Sequence, residues 1–136
     1  MKLVSFRANG RESYGAVVDG GILDLGARFG ARAPSLLSLM AGGRLDEAAD
    51  AIARGPADLG LDTIEYLPPV TRPGKILCVG VNYAERHEEY GDSTPPPAYP
   101  SIFMRTPGSF VGHRAPIVRP PESREFDYEG EVAVII

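Results

Sequence analysis

Asp127-Tyr128-Glu129-Gly130-Glu131-Val132-Ala133-Val134-Ile135-Ile136 sets two carboxylates at the head of a run of strand-forming aliphatics. Side chains alternate between the two faces of a strand, so Glu129 and Glu131, two positions apart, fall on the same face. Like charges beside an apolar strand resist burial unless water, protons or a cation neutralise them. Two readings stand side by side. In one, the strand has a wet face and both carboxylates are solvated, an arrangement common in antiparallel sheets. In the other, they hold a hard divalent cation such as Mg2+, Mn2+ or Ca2+, since neither Cys nor His is near enough in sequence to favour zinc. The continuation weighs toward the second, because Val132 to Ile136 is apolar on both faces, as in a strand covered on both sides.

Outward from that stretch, composition bounds the rest. The chain has 136 residues, enough for a real core, and a formal charge of −4. Its fourteen basic residues are scattered and form no basic run, so there is no footprint for nucleic acid or an anionic membrane. The single cysteine, Cys78, excludes an internal disulfide, and its neighbours Ile76, Leu77 and Val79 suggest a buried strand thiol in a reducing compartment. No apolar run approaches the length of a membrane span and the N-terminus shows no secretory signal pattern, so the expected location is the cytoplasm.

Read in order, residues 3–8 and 13–18 are short strands around Asn9-Gly10, a dipeptide suited to a tight hairpin. Asp19-Gly20-Gly21 turns the chain into a third strand at residues 22–25, making a meander. A helix is expected after Pro34-Ser35, carrying Leu36, Leu37, Leu39 and Met40 and stopped by Gly42-Gly43. A second helix runs from Leu45 to Arg54, with Asp46 and Glu47 near its positive end. Residues 61–67 add one more strand. The proline-rich passage at residues 68–74 reads as a linker, dividing a small N-terminal domain at 1–70 from the beginning of a second domain at 71–136.

Beyond the linker, residues 75–81 form an apolar run suited to a buried strand, and residues 82–90 form a polar stretch that suits a helix. There His87, Arg86 and Glu89 read either as a solvated, ion-paired surface or as functional groups presented at a strand-to-helix junction. Pro95-Pro96-Pro97 lies in an exposed loop. Ser101 to Arg105 is a further strand candidate, ending in a cation that faces an anionic ligand or solvent. His113, between Gly112 and Arg114 in a turn, is structural or exposed.

Three motifs in this order carry a resemblance: Cys78-Val79-Gly80-Val81-Asn82-Tyr83; Phe103-Met104-Arg105 with Ser109-Phe110-Val111-Gly112-His113; and Asp127-Tyr128-Glu129-Gly130-Glu131-Val132-Ala133-Val134-Ile135. Together they resemble the fumarylacetoacetate hydrolase family over about residues 70–136, and the first 70 resemble the small N-terminal module many members carry. The resemblance implies a mixed α+β chain, in which a small N-terminal α/β module precedes the start of a mostly-β catalytic domain. It implies Mg2+ or Mn2+ on Glu129 and Glu131, with a third acidic ligand downstream, so that the chain is expected to be the N-terminal part of a longer enzyme. It implies a small 2-oxo acid substrate, Arg105 beside it, and commonly a homodimer.

The reaction implied first is hydrolytic C–C cleavage of a β-diketo acid such as an acylpyruvate. The alternatives are decarboxylation or isomerisation of 2-oxo and 2-hydroxy-dienoic dicarboxylates of the kind met in aromatic catabolism, or a ligand-binding module without turnover. In many members a His and, three residues later, a Glu follow the Asn-Tyr pair and form an acid/base dyad under a lid. This chain departs from that pattern. Arg86 takes the histidine position and Glu89 the glutamate position, leaving His87 one step late, about 100° around a helix. His87 and Glu89 remain the candidate catalytic pair, and the reactions that depend least on an activated water tolerate the displacement best.

Overall fold

A computed structural model describes residues 1–80, 82, 83, 85, 91, 93, 95, 98–126 and 131–136. Its N-terminal part is a five-stranded antiparallel sheet in the order β4-β3-β2-β1-β5. The strands are β1 (Leu3–Ala8), β2 (Arg11–Val18), β3 (Gly21–Asp24), β4 (Leu59–Gly60) and β5 (Glu65–Leu67). Three helices, α1 (Leu25–Phe29), α2 (Leu36–Ala41) and α3 (Leu45–Arg54), separate β3 from β4.

The meander expected from the sequence is present, and turn chemistry explains its register. Asn9 and Gly10 have φ of 49° and 74°, and Asp19 and Gly20 have φ of 41° and 76°. Both two-residue turns therefore use paired positive φ, whose twist matches that of antiparallel strands and which Asn, Asp and Gly accept at least strain. The resulting register sets Ser5 opposite Tyr14 and Leu3 opposite Ala16, and Ala16 opposite Leu23. Tyr14, Ala16 and Leu23 thus share one face and pack on Leu25, Phe29, Ala33, Leu36, Leu39 and Ala48 from the helical segment. Phe6 and Ile22, on the opposite face, are also buried, and there the sheet leaves a cavity of about 370 Å3, open to solvent and lined by Phe6, Arg11, Ser13, Asp24 and Leu59 among others.

Helix α1, absent from the sequence reading, begins where Asp24 caps it: the Asp24 carboxylate accepts from the Ala27 amide at 2.8 Å and from the Ser13 hydroxyl at 2.6 Å. Five residues carry no helical periodicity, so only this cap and the burial of Leu25 and Phe29 define the element. Helices α2 and α3 fall where the sequence places them. The strand expected over residues 61–67 is instead a 3-10 turn at Leu61–Thr63 followed by the three-residue β5, which reaches β1 at Tyr66 opposite Phe6.

After β5 no regular structure occurs until β6 (Leu77–Gly80), which pairs antiparallel with β7 (Ser101–Met104), Cys78 facing Phe103 across the pair. Both strands were expected, but the burial of β6 was not realised. Leu77 is 61% exposed and Ile102 63%, and Cys78 is only half-buried, because among the described residues no second layer covers this two-stranded sheet. The terminal apolar run is also corrected: Glu131 to Ile136 is not strand, and Val132 is 88% exposed. A strand exists only where a neighbour takes its backbone donors and acceptors, and no described strand pairs with this run. The helix expected over residues 82–90 falls mostly outside the described residues, while Asn82, Tyr83 and Glu85 are not helical.

Candidate functional site

Arg105 is the candidate site residue with the most contacts among the described residues. It follows β7 directly, and its amide donates to the Ile76 carbonyl at 3.2 Å, which fixes the end of the hairpin. Its guanidinium lies 5.2 Å from the centre of the Phe103 ring. Residues two apart on a strand share a face, which brings the ring and the cation together. Among the described residues no carboxylate pairs with Arg105, and its side chain is exposed. A cation stacked on a ring, with no carboxylate partner among the described residues, suits a planar carboxylate arriving from solution.

Glu131 is exposed, and Glu129, His87, Glu89 and Arg86 lie outside the described residues. The expected pairing of Glu129 with Glu131, and of His87 with Glu89, therefore has no geometry here. Carboxylate oxygens are the donors that Mg2+ or Mn2+ prefers, so the chemistry of Glu129 and Glu131 fits such an ion. Among the described residues no group of three or more His, Cys, Asp or Glu is close enough to hold a metal. Also among the described residues, no helix is long and apolar enough to cross a membrane.

Polar groups elsewhere satisfy one another. Asp58 accepts from the Asp24 amide at 2.8 Å and pairs with Arg28, and the Arg28 guanidinium holds the Asp58 carboxyl below its ordinary range. Arg7 bridges Glu12 and Glu65, each at 2.8 Å, across three neighbouring strands. These pairs tie neighbouring elements together. A second cavity, of about 240 Å3, lies between the sheet and α2, lined among others by Ser5, Tyr14, Ser35 and Arg72. Its polar atoms are largely engaged: Ser5 Oγ donates to the Pro69 carbonyl at 2.6 Å, and the Tyr14 hydroxyl to that of Ala33 at 2.8 Å.

The sequence reading missed a contact that does not involve the expected site at all. Gly112, His113 and Arg114 lie against Tyr66 in β5 and Asp62 in the 3-10 turn before it. Only the run of Gly, His and Arg in a turn hinted at a special backbone there.

Comparison with known proteins supplies the wider context. Residues 75–136 match the family model described as fumarylacetoacetate (FAA) hydrolase C-terminal. Over its whole length the chain is 34% identical to the mitochondrial oxaloacetate tautomerase Fahd2a of Rattus norvegicus, covering 45% of that protein. It is 35% identical to the mitochondrial oxaloacetate tautomerase FAHD2A of Bos taurus and 34% identical to that of Homo sapiens, again over all of this chain and 45% of each relative. The chain thus spans about half the length of these curated relatives. The three ordered motifs, the family match that spans all three of them and the similarity along the whole of this chain agree: the chain belongs to the fumarylacetoacetate hydrolase family.

Proposed function

We propose that the protein is an enzyme that interconverts the keto and enol forms of a small 2-oxo dicarboxylic acid of the oxaloacetate type. The observation that carries this reading is the full-length similarity to proteins named oxaloacetate tautomerases. It supports the isomerase alternative better than hydrolytic C–C cleavage. The sequence leans the same way, because Arg86 stands where many members place the histidine that activates water. Tautomerisation consumes no water, so it does not need a histidine at that position to activate one.

In this reading Arg105 holds one substrate carboxylate, oriented by the Phe103 ring beneath its guanidinium. His87, with Glu89 beside it in sequence, takes a proton from C3 of the substrate. The electron pair of that C–H bond becomes the C2=C3 bond, and the 2-oxo oxygen gains a proton, so atoms and charge balance. Glu129 and Glu131 would hold Mg2+ or Mn2+, which would supply positive charge to offset the negative charge that develops on the substrate. Arg105 at one end and a divalent ion on Glu129 and Glu131 at the other would fix the substrate and set the C3 hydrogen against the base, an advantage of orientation.

The test uses the full-length protein with oxaloacetate and Mg2+ or Mn2+, following the enol absorbance. Glu129→Gln is expected to slow interconversion by about 100-fold or more, the scale of losing an electrostatic stabiliser of a developing oxyanion. Pyruvate appearing at the rate of enol loss would replace the reading with decarboxylation. Rapid consumption of acetylpyruvate without tautomerisation of oxaloacetate would restore the hydrolytic one.

A further inference from the structure

The segment from Arg105 to Ala115 is fixed at both ends and self-bonded between them. At one end the Arg105 amide donates to Ile76 in β6. In the middle, the 3-10 turn Pro107–Ser109 closes on itself, the Ser109 amide and hydroxyl both bonding the Thr106 carbonyl, at 3.0 and 2.8 Å. At the other end three consecutive residues lie against β5 and the 3-10 turn before it. Gly112 packs directly on the backbone of β5, where an added Cβ would collide with the Tyr66 carbonyl, 2.5 Å from its carbon and 3.0 Å from the Leu67 nitrogen. The His113 ring meets the Tyr66 ring edge-on with centroids 5.1 Å apart. Arg114 Nη1 donates to Asp62 Oδ1 at 3.1 Å, across 52 residues of sequence. Arg114 has φ of 65°, a conformation that a non-glycine residue keeps only where its surroundings hold it. The Ala115 amide closes the turn onto the Gly112 carbonyl at 3.0 Å.

We propose that Gly112, His113 and Arg114 form a clasp that seats the Arg105 segment on the N-terminal domain, at Tyr66 in β5 and at Asp62 in the 3-10 turn before it, and so sets where the Arg105 guanidinium meets substrate. Gly112 carries most of the specificity, because only a residue without Cβ lets two backbones approach this closely. The ion pair is exposed on both sides and contributes register more than strength. These three are positioning residues: none is placed on the substrate, and they act through Arg105. The N-terminal sheet thereby becomes a template for the substrate end of the site. The second half of this inference rests on the role given to Arg105 above; the clasp itself does not.

The experiment compares Gly112→Ala with Gly108→Ala in the full-length protein, since an added Cβ at Gly108 meets nothing within 4 Å. Amide hydrogen exchange at Ala115 is expected to quicken by about tenfold or more in Gly112→Ala and to stay unchanged in Gly108→Ala. KM for oxaloacetate is expected to rise severalfold in Gly112→Ala while kcat changes little, the pattern of lost substrate positioning. His113→Ala and Asp62→Ala, which leave the backbone approach intact, carry the same test if Gly112→Ala fails to fold, with an expected exchange increase of about threefold. Unchanged exchange at Ala115 in all folded variants would overturn the clasp. Faster exchange with unaltered KM would uphold it and remove Arg105 from the substrate site instead.

Discussion

Gly15 sits mid-strand in β2, where any side chain would strike the Leu23 carbonyl and lie 2.9 Å from the Ile22 Cγ2 methyl. Gly15→Ala is therefore expected to lower stability by about 1–3 kcal/mol, the range for overpacking, read from urea midpoints. Tyr14 makes a second residue-level case. Its ring is buried and its hydroxyl donates to Ala33, and burial first, then the negative charge of Asp24, raises its pKa from 10.0 to about 12. The unfolded chain releases this proton near the ordinary value and the folded chain keeps it, so the contribution is complete below about pH 10 and is lost as pH rises through about 12. Tyr14→Phe should remove the latest step of the tyrosinate absorbance titration. Identical curves above pH 11 for the two proteins would refute the assignment.

Helix α2 shows how little an isolated element holds by itself. Six residues are too few to be helical in water, so its caps and its two buried leucines, Leu36 and Leu39, decide it. Ser35 Oγ accepts from the Ser38 amide at 3.1 Å and Ser38 Oγ accepts from the Ser35 amide at 2.8 Å, a reciprocal box in which serine takes the place usually held by Glu or Gln. Ser35→Ala should cost about 1 kcal/mol in the same denaturation assay. The β6–β7 hairpin lies at the other extreme: it is four residues a side, and Leu77 and Ile102 are mostly exposed. Its amides are expected to exchange faster than those bonded between β1, β2 and β3; equal protection would mean that the hairpin has a covering layer.

Across the whole chain, every fully buried hydrophobic residue among those described lies between Phe6 and Ala48. The cooperative unit is thus the N-terminal sheet with its helices, and the boundary expected at residues 68–74 is proposed on that confinement. A fragment of residues 1–72, which retains the Ser5–Pro69 bond, should melt cooperatively with a Tm within several degrees of the longer chain. A non-cooperative melt would show that the later residues, through the clasp at Gly112, complete the fold.

The meander and helices α2 and α3 were legible because their signals are local: Asn-Gly and Asp-Gly turns, a serine cap and apolar residues at helical spacing all act within a few positions. The family was legible for a related reason, since three motifs in order remain readable without coordinates. What the sequence left undecided depends on partners distant along the chain. Leu77 to Gly80 and Val132 to Ile136 read alike as covered strands, yet the first found one neighbour in β7 and stayed half-bare, and the second found none among the described residues. Apolar pattern states what a segment is able to bury, whereas only tertiary structure supplies the surface that buries it. The contact of Gly112 with Tyr66 was invisible for the same reason: a glycine needed for close approach looks, in sequence, like any glycine in a turn.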